Sequence, residues 1–318
     1  MTTPAVTALK KAMPESQITY VVEEPYRCLV EGHPSVDRVI ALGKKSKLPE
    51  FLRLLRTLRK EPYDVVLDFH GGPRAWWIAL AAKANFKVGY EIKYRGFVYD
   101  VAIPRGVKNG FVHSVENHLN LVRALGVRVD PPPLSLPPAQ EAEIRKVDRL
   151  FAENGLEGNK LVILHISAGN QFRDWGVDNW AGLVDRLAQE PSVRVVLVGG
   201  EPDHAAEQGI LSLSSSHPVS FVGTLNLLEL KEMMARSSLF VGPDSGPMHI
   251  AAATGTPIVA LFGPTLPVHF SPWQAKAYVV AKELSCRPCR QKKCLTGDFR
   301  CLRSITPEEV LSACRRFI

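Results

Sequence analysis

The chain has 318 residues, 46% of them hydrophobic, with 39 Lys+Arg against 32 Asp+Glu for a formal net charge of +7. That mixture excludes disordered, collagen-like and coiled-coil chains, and the length suggests about two domains, each with its own core. No apolar run reaches the roughly 18 residues of a membrane-spanning helix: the longest candidates are 75–82 and 250–262, and the second is broken by Gly255 and Pro257.

The opening Met1-Thr2-Thr3-Pro4 has neither the basic start nor the apolar core of a secretory signal, so a cytoplasmic protein is expected. The charge is one-sided. Residues 1–138 carry 20 Lys+Arg and 13 Asp+Glu, whereas the remainder balances at 19 of each. A basic field of this kind attracts nucleic acid, an acidic membrane surface or a phosphorylated substrate; an excess this modest equally fits ordinary solubility charge.

In chain order, residues 3–12 read as a helix with Pro4 in its first turn. Residues 18–22 and 36–42 read as strands, 49–59 as a helix, and 65–69 as a strand that is apolar apart from Asp68. A buried helix over 74–84, a strand from 87 and a helix over 114–125 ending at Gly126 follow. The run from Pro131 to Pro138 cannot be helical and reads as a linker, dividing the chain into 1–138 and 139–318. Beyond it, helices are expected over 141–154, 179–189, 227–236, 247–254 and 307–317. Strands are expected over 161–166, 193–198, 239–241 and 258–262. Alternation of this kind indicates βα units and parallel sheets in an α/β fold. The second half has a strand before its loop and helix (161–166), whereas the first half opens directly on a helix. In a doubly wound sheet the first strand is central, so the first half has either a different topology or no natural start.

The sharpest segment is Val241-Gly242-Pro243-Asp244-Ser245-Gly246-Pro247-Met248-His249. A buried strand stops, a Gly/Pro loop turns and a helix begins, with Asp244 and Ser245 as caps. A helix start offers unpaired N–H groups and the positive end of the dipole, which suits a phosphate or diphosphate. Gly246 allows close approach, and His249 projects from the first turn. A well-capped helix with a locally satisfied His gives the same pattern. The next strand ends in Phe262-Gly263-Pro264-Thr265, so two strand-end loops build a crevice. His165-Ile166-Ser167-Ala168-Gly169-Asn170 leads to Arg173, a candidate phosphate ligand, and to Trp175. Glu201 and Asp203, after Gly199-Gly200, could accept ribose hydroxyls. In the first half, His70 and Arg74 follow a strand and would face an interdomain cleft. Tyr90, Lys93, Tyr94 and Arg95 form a basic aromatic cluster suited to a sugar phosphate or to single-stranded nucleic acid. Cys286, Cys289, Cys294 and Cys301 are spaced as a structural metal site, with zinc the candidate, or simply pack as thiols. Cys28 and Cys314 read as buried apolar residues.

The Asp-Ser-Gly-Pro-Met-His and Phe-Gly-Pro-Thr segments within 241–265 resemble the donor site of glycosyltransferase family 9, the lipopolysaccharide heptosyltransferases. The Cys286–Cys301 quartet followed by Ile305-Thr306-Pro307-Glu308-Glu309-Val310 is similar to the family's C-terminal signature, and Thr2-Thr3-Pro4-Ala5-Val6 followed by Ala8-Leu9-Lys10-Lys11 is similar to the family's N-terminal segment. The segment 74–77 and Cys-Arg-Pro-Cys resemble the heptosyltransferase III branch. The resemblance covers essentially the whole chain.

It implies a GT-B fold of two Rossmann-like domains facing across a cleft. It implies an ADP-heptose donor held by the second domain, and an anionic lipid A–core acceptor met by the first at the cytoplasmic face of the inner membrane. Carried over by motif, Asp244, Ser245, Gly246 and His249 hold the diphosphate and heptose. Arg173 replaces a family Lys and neutralises the leaving group, and Ser167 and Ala168 match a pair often bearing hydroxyls. His70, Arg74, Lys93 and Arg95 are the acceptor-side candidates. The implied reaction is an inverting displacement with no catalytic metal. Family members also have a strand and a Gly-Asp loop before Thr-Thr-Pro, whose Asp is the usual base; here these would lie upstream of Met1, consistent with a start codon placed late. Glu23, Asp68 and His70 are guesses for a substitute. The alternatives are a transferase for another nucleotide sugar and a non-catalytic sugar-binding homologue. A nucleic-acid binder lacks any recognised motif.

Overall fold

The computed structural model describes residues 1–43, 48–106 and 112–318. It divides into two units, Met1–Pro137 and Pro138–Ile318, separated within the proline run.

The second unit contains α5 (Glu141–Glu153), β6 (Lys160–His165), α6 (Val177–Leu187), β7 (Val193–Val198), α7 (His204–Leu213), β8 (Val219–Ser220), α8 (Leu227–Ala235), β9 (Leu239–Pro243), α9 (Gly246–Thr254), β10 (Ile258–Phe262), α10 (Pro267–Phe270), β11 (Ala277–Ala281), α11 (Arg300–Arg303) and α12 (Pro307–Cys314). Its six strands form one parallel sheet in the order β11-β10-β9-β6-β7-β8. Helices α6, α7 and α12 pack together, as do α5, α8 and α9. Coverage of both faces explains why β6 and β9 are continuous apolar runs rather than alternating ones. The core on one face gathers Val162, Leu164, Val241 and Leu261 with Trp175, Trp180, Val184 and Val310. The strand order reverses between β6 and β9, so their loops leave the carboxyl edge side by side and open a crevice.

The first unit contains α1 (Thr3–Ala12), β1 (Thr19–Glu23), β2 (Arg38–Leu42), α2 (Leu48–Lys60), β3 (Pro62–Leu67), α3 (Pro73–Ala81), β4 (Lys83–Tyr90), β5 (Val101–Ile103) and α4 (Ser114–Arg123). Its strands are parallel but form two sheets, β1-β2 and β3-β4-β5. Laid against the second unit, β1-β2 corresponds to β7-β8 and β3-β4-β5 to β9-β10-β11. Among the described residues no strand takes the place that β6 has. Helix α2 spans the division, packing Leu54 and Leu58 with Val21, Ile40 and Leu42 on one side and Tyr63 and Val66 on the other.

Three expectations are corrected. Helix α3 is not buried: Ala79 is its one fully buried residue, while Trp77 and Leu80 face solvent. The strand expected over 65–69 runs from Pro62 to Leu67, and Asp68 stands just beyond it. Cys28 is only half-buried, whereas Cys314 is fully buried and its thiol is pushed up to about 12 by burial.

Candidate active site

The site is built on the carboxyl ends of β6, β9 and β10. Strand β9 ends at Pro243, and the chain passes through Asp244 and Ser245 into α9. Ser245 occupies the cap position, but its hydroxyl does not cap the helix. It meets Nδ1 of His165 at 3.3 Å instead. Pro247 has no N–H, so the amides of Gly246, Met248 and His249 head the first turn with the dipole behind them. A Cβ placed on the exposed Gly246 would meet nothing within 4 Å. The space in front of the helix start is therefore open.

Asp244 is not a helix cap either. It is buried, and its Oδ2 accepts a hydrogen bond from Thr265 Oγ1 at 2.7 Å. The same oxygen lies 3.5 Å from Nη1 of Arg173. Burial raises the Asp244 carboxyl above its ordinary pKa, against the lowering effects of Thr265 and Arg173. Arg173 ends a short 3-10 turn, Gln171–Arg173, whose cap is the Asn170 side chain. Its Nη1 donates to the main-chain carbonyl of Asp244 at 2.7 Å, and its Nε donates to Gln291 Oε1 at 3.1 Å. Asn170 Nδ2 donates to the same Gln291 oxygen at 2.8 Å. The guanidinium is thus fixed beside the start of α9, where its charge and the helix amides act on the same space.

The β6 loop completes this wall. Ser167 Oγ accepts from the Gly169 amide at 3.1 Å, and Ser167 and Ala168 are both half-buried. Ala168 supplies no hydroxyl. His165 is buried in near-parallel contact with Phe240, and burial lowers its pKa to about 4, so the ring is neutral at ordinary pH. Trp175 anchors the loop through its indole N–H to Ile305 O at 2.7 Å. The third loop offers less: Asp203 Oδ2 accepts from the Gly200 amide at 2.7 Å, and Glu201 pairs with His204 at 3.3 Å.

The sequence reading missed Gln291 and gave Thr265 no role. Thr265 stood in a quoted turn, but its bond to Asp244 spans 21 residues. Gln291 lies in the cysteine segment, which is strapped to the β10 loop by Cys289 N to Pro264 O (3.0 Å) and Arg287 Nη2 to Thr265 O (2.8 Å). Cys286, Cys289, Cys294 and Cys301 are free, half-buried thiols. Cys301 is raised chiefly by burial and also by the neighbouring Cys286. Among the described residues no three His, Cys, Asp or Glu side chains are placed to hold a metal ion. The segment that carries the quartet also brings Gln291 to Arg173.

In the first unit, Asp68 accepts from the amides of His70 (2.9 Å) and Gly71 (2.8 Å) and from the Tyr99 hydroxyl (2.6 Å). Burial raises the Tyr99 hydroxyl far above its ordinary pKa. These bonds tie the β3 loop to Asp68 and Tyr99. His70 is exposed, and its Nδ1 accepts from the Gly72 amide at 3.0 Å. Arg74 lies 3.8 Å from Glu23 and stacks over Phe51 at 5.5 Å. Lys93 lies over the Tyr94 ring, and Arg95 lines an aromatic hollow with Pro73, Trp76, Trp77 and Phe97.

A sequence model described as glycosyltransferase family 9 (heptosyltransferase) matches residues 51–299. The chain belongs to glycosyltransferase family 9. It is similar to lipopolysaccharide heptosyltransferase 3 of Escherichia coli, 26% identical over 293 residues that cover 86% of this chain and 82% of that protein. A crystal structure of a family 9 glycosyl transferase from Veillonella parvula superposes with a TM-score of 0.87 at 26% identity, covering 99% of this chain and 92% of that one. The E. coli ADP-heptose lps heptosyltransferase II superposes at 0.78 with 23% identity, covering 99% and 93%. The fold is the GT-B type of these enzymes, and the chain is a glycosyltransferase of heptosyl/hexosyl type. Among the described residues no helix is long and apolar enough to cross a membrane.

Proposed function

We propose that this family 9 enzyme transfers a heptosyl group from ADP-heptose to the inner core of lipopolysaccharide, inverting the anomeric centre. Supporting the donor class are the name of the lipopolysaccharide heptosyltransferase 3 relative and the ADP-heptose named for the heptosyltransferase II structure. The observation that carries the reading is Arg173, fixed by Asp244 and Gln291 beside the open start of α9.

The acceptor hydroxyl oxygen attacks the anomeric carbon as the bond to the β-phosphate oxygen breaks. The hydroxyl proton passes to a base, and the departing diphosphate gains negative charge. Arg173 and the amides of Gly246, Met248 and His249 meet that charge, so no metal ion is needed for it. Ser167 and Ser245 offer hydroxyls to the donor, and Gly246 admits the diphosphate to the main chain. Asp244 acts through Arg173, and Ala168 gives only shape. On the acceptor side, His70 and Arg74 lie at the carboxyl edge of the first unit, while Lys93 and Arg95 add positive charge nearby in sequence. We place the acceptor at the cytoplasmic face of the inner membrane, where the one-sided basic charge favours an anionic glycolipid.

The test is turnover of ADP-heptose with a lipid A–Kdo acceptor, with and without EDTA, beside binding of ADP, UDP and GDP. Transfer that survives EDTA, with ADP bound tightest, is expected. Tighter binding of UDP or GDP, with transfer from their sugars instead, would replace the donor.

A further inference from the structure

The first unit carries a cluster of exposed aromatic rings to which the transfer chemistry gives no role. Helix α3 turns Pro73, Trp77 and Leu80 outward at helical spacing. The segment after β4 adds Tyr94 and Phe97. Trp77 is 50% exposed, Phe97 77% and Tyr94 83%, and together with Pro73, Trp76 and Arg95 they line an open hollow of about 370 Å³. Rings are fixed from beneath: Trp76 meets Trp77 edge-on at 4.9 Å and Phe97 at 5.8 Å, and its indole N–H donates to Arg95 O at 3.0 Å. Tyr94 has a left-handed backbone (φ 65°). Lys93 lies over the Tyr94 ring at 5.0 Å and Arg95 lines the hollow, neither in an ion pair among the described residues, while Glu91 and Asp100 are the exposed acids nearby in sequence.

Single exposed apolar residues mean little, but a pre-formed cluster of aromatic rings rimmed by cations is unusual on a monomer surface. Indole and phenol rings favour the headgroup level of a bilayer, and lysine and arginine favour anionic lipids. We propose that this face, centred on Trp77, Tyr94 and Phe97 with Lys93 and Arg95, is a docking surface for an anionic phospholipid membrane. The aromatic rings enter the interface, and the cations meet the lipid phosphates. The surface stands on its own geometry, whichever sugar the enzyme transfers.

Co-sedimentation of the full chain with glycolipid-free vesicles tests it, comparing phosphatidylcholine alone with phosphatidylcholine containing about one-third phosphatidylglycerol. Binding to the anionic vesicles is expected, weakening with salt. The Trp77→Ser/Phe97→Ser variant should lower the partition coefficient roughly tenfold or more, and Lys93→Gln/Arg95→Gln should remove most of the preference for anionic lipid. Trp77, Phe97 and Lys93 are exposed and Arg95 is half-buried, and an unchanged thermal melt verifies folding. Brominated lipid should quench wild-type fluorescence, because Trp77 is accessible whereas Trp175 and Trp180 are buried. Absence of vesicle binding, or equal binding by the Trp77→Ser/Phe97→Ser variant, overturns the proposal; the rings would then serve a protein partner. Because the vesicles hold no glycan, failure here leaves the transferase reading standing, and loss of heptosyl transfer leaves this surface standing.

Discussion

Arg173 and Asp244 are joined twice, by a 2.7 Å hydrogen bond from Nη1 to the Asp244 carbonyl and by a 3.5 Å approach to its carboxylate. The arrangement orders charge at the start of α9 before any ligand arrives, which is what leaving-group stabilisation requires. Replacing Arg173 by Ala should lower kcat about 10² to 10³-fold, the range for losing one pre-organised electrostatic group. Gln291→Ala should cost less, because it frees the guanidinium without removing it. Steady-state rates at saturating donor measure both. An Arg173→Ala enzyme with wild-type kcat would remove this residue from the chemistry.

The carboxylate should behave as a positioning group. Asp244→Asn keeps the main-chain carbonyl and an acceptor for Thr265 but removes the charge facing Arg173. Thr265→Val removes the hydrogen bond alone. Because Thr265 and Arg173 meet the same carboxylate oxygen, a double-mutant cycle between Asp244→Asn and Thr265→Val should show coupling of roughly 0.5–3 kcal/mol in stability. Additivity would mean that the two do not act as a unit.

Two glycines four residues apart, Gly242 inside β9 and Gly246 opening α9, should respond oppositely. A Cβ on Gly242 would come within 2.8 Å of the Phe240 ring and 3.1 Å of His165 Cβ. Gly242→Ala should therefore destabilise the protein by about 1–3 kcal/mol. At Gly246 the methyl enters open space, so Gly246→Ala should leave stability within about 0.5 kcal/mol and weaken ADP binding roughly tenfold. Denaturant melts and calorimetric titration separate the effects. Unchanged ADP affinity in Gly246→Ala would show that the nucleotide lies elsewhere.

Much of the second unit was legible in the sequence, because strands covered on both faces are uninterrupted apolar runs and their loops carry Gly, Pro and Asp. The start of α9 was found this way. The roles within it were not. Local pattern makes Asp244 and Ser245 helix caps, whereas the fold turns Asp244 to Thr265 and Arg173, and Ser245 to His165, 80 residues away. Side chains whose partners are distant in sequence leave no periodic trace, which also hid Gln291. Helix α3 misled for a related reason: its apolar residues read as core, yet Trp77 and Leu80 form a surface. Strand β5 and helix α7 went unread, since β5 has three residues and α7 carries few apolar periods.

The His165 ring sets an acid limit on the second unit. Its pKa falls from an ordinary 6.5 to about 4 on folding, because burial disfavours the charged ring. Between those values the unfolded chain binds the extra proton and the folded one does not. Stability from this residue is therefore complete above about pH 6.5 and is lost as the pH falls toward 4, at up to about 1.4 kcal/mol per pH unit. His165→Gln cannot take up that proton, so its unfolding free energy should fall less steeply across this window, even if it is lower at pH 7. Denaturant melts at pH 7, 6, 5 and 4.5 make the comparison. Parallel pH profiles for the two proteins would mean that the ring is already charged, or already solvated, in the folded state.

The division of the first unit into two sheets makes a last prediction. In the second unit β6 is hydrogen-bonded on both sides and β6 and β9 are buried throughout their apolar length. In the first unit no residue of β1 is fully buried, and β3 has only half-buried and exposed positions, Val65 among the latter. Local opening follows the amount of buried apolar contact. Amides of β1 and β3 should therefore exchange with deuterium faster than those of β6 and β9, with β7 and β10 as slow as β6. Mass spectrometry after timed labelling reads this directly. Equal protection of β3 and β6 would show that the β3 edge is shielded in solution by something outside the two described sheets.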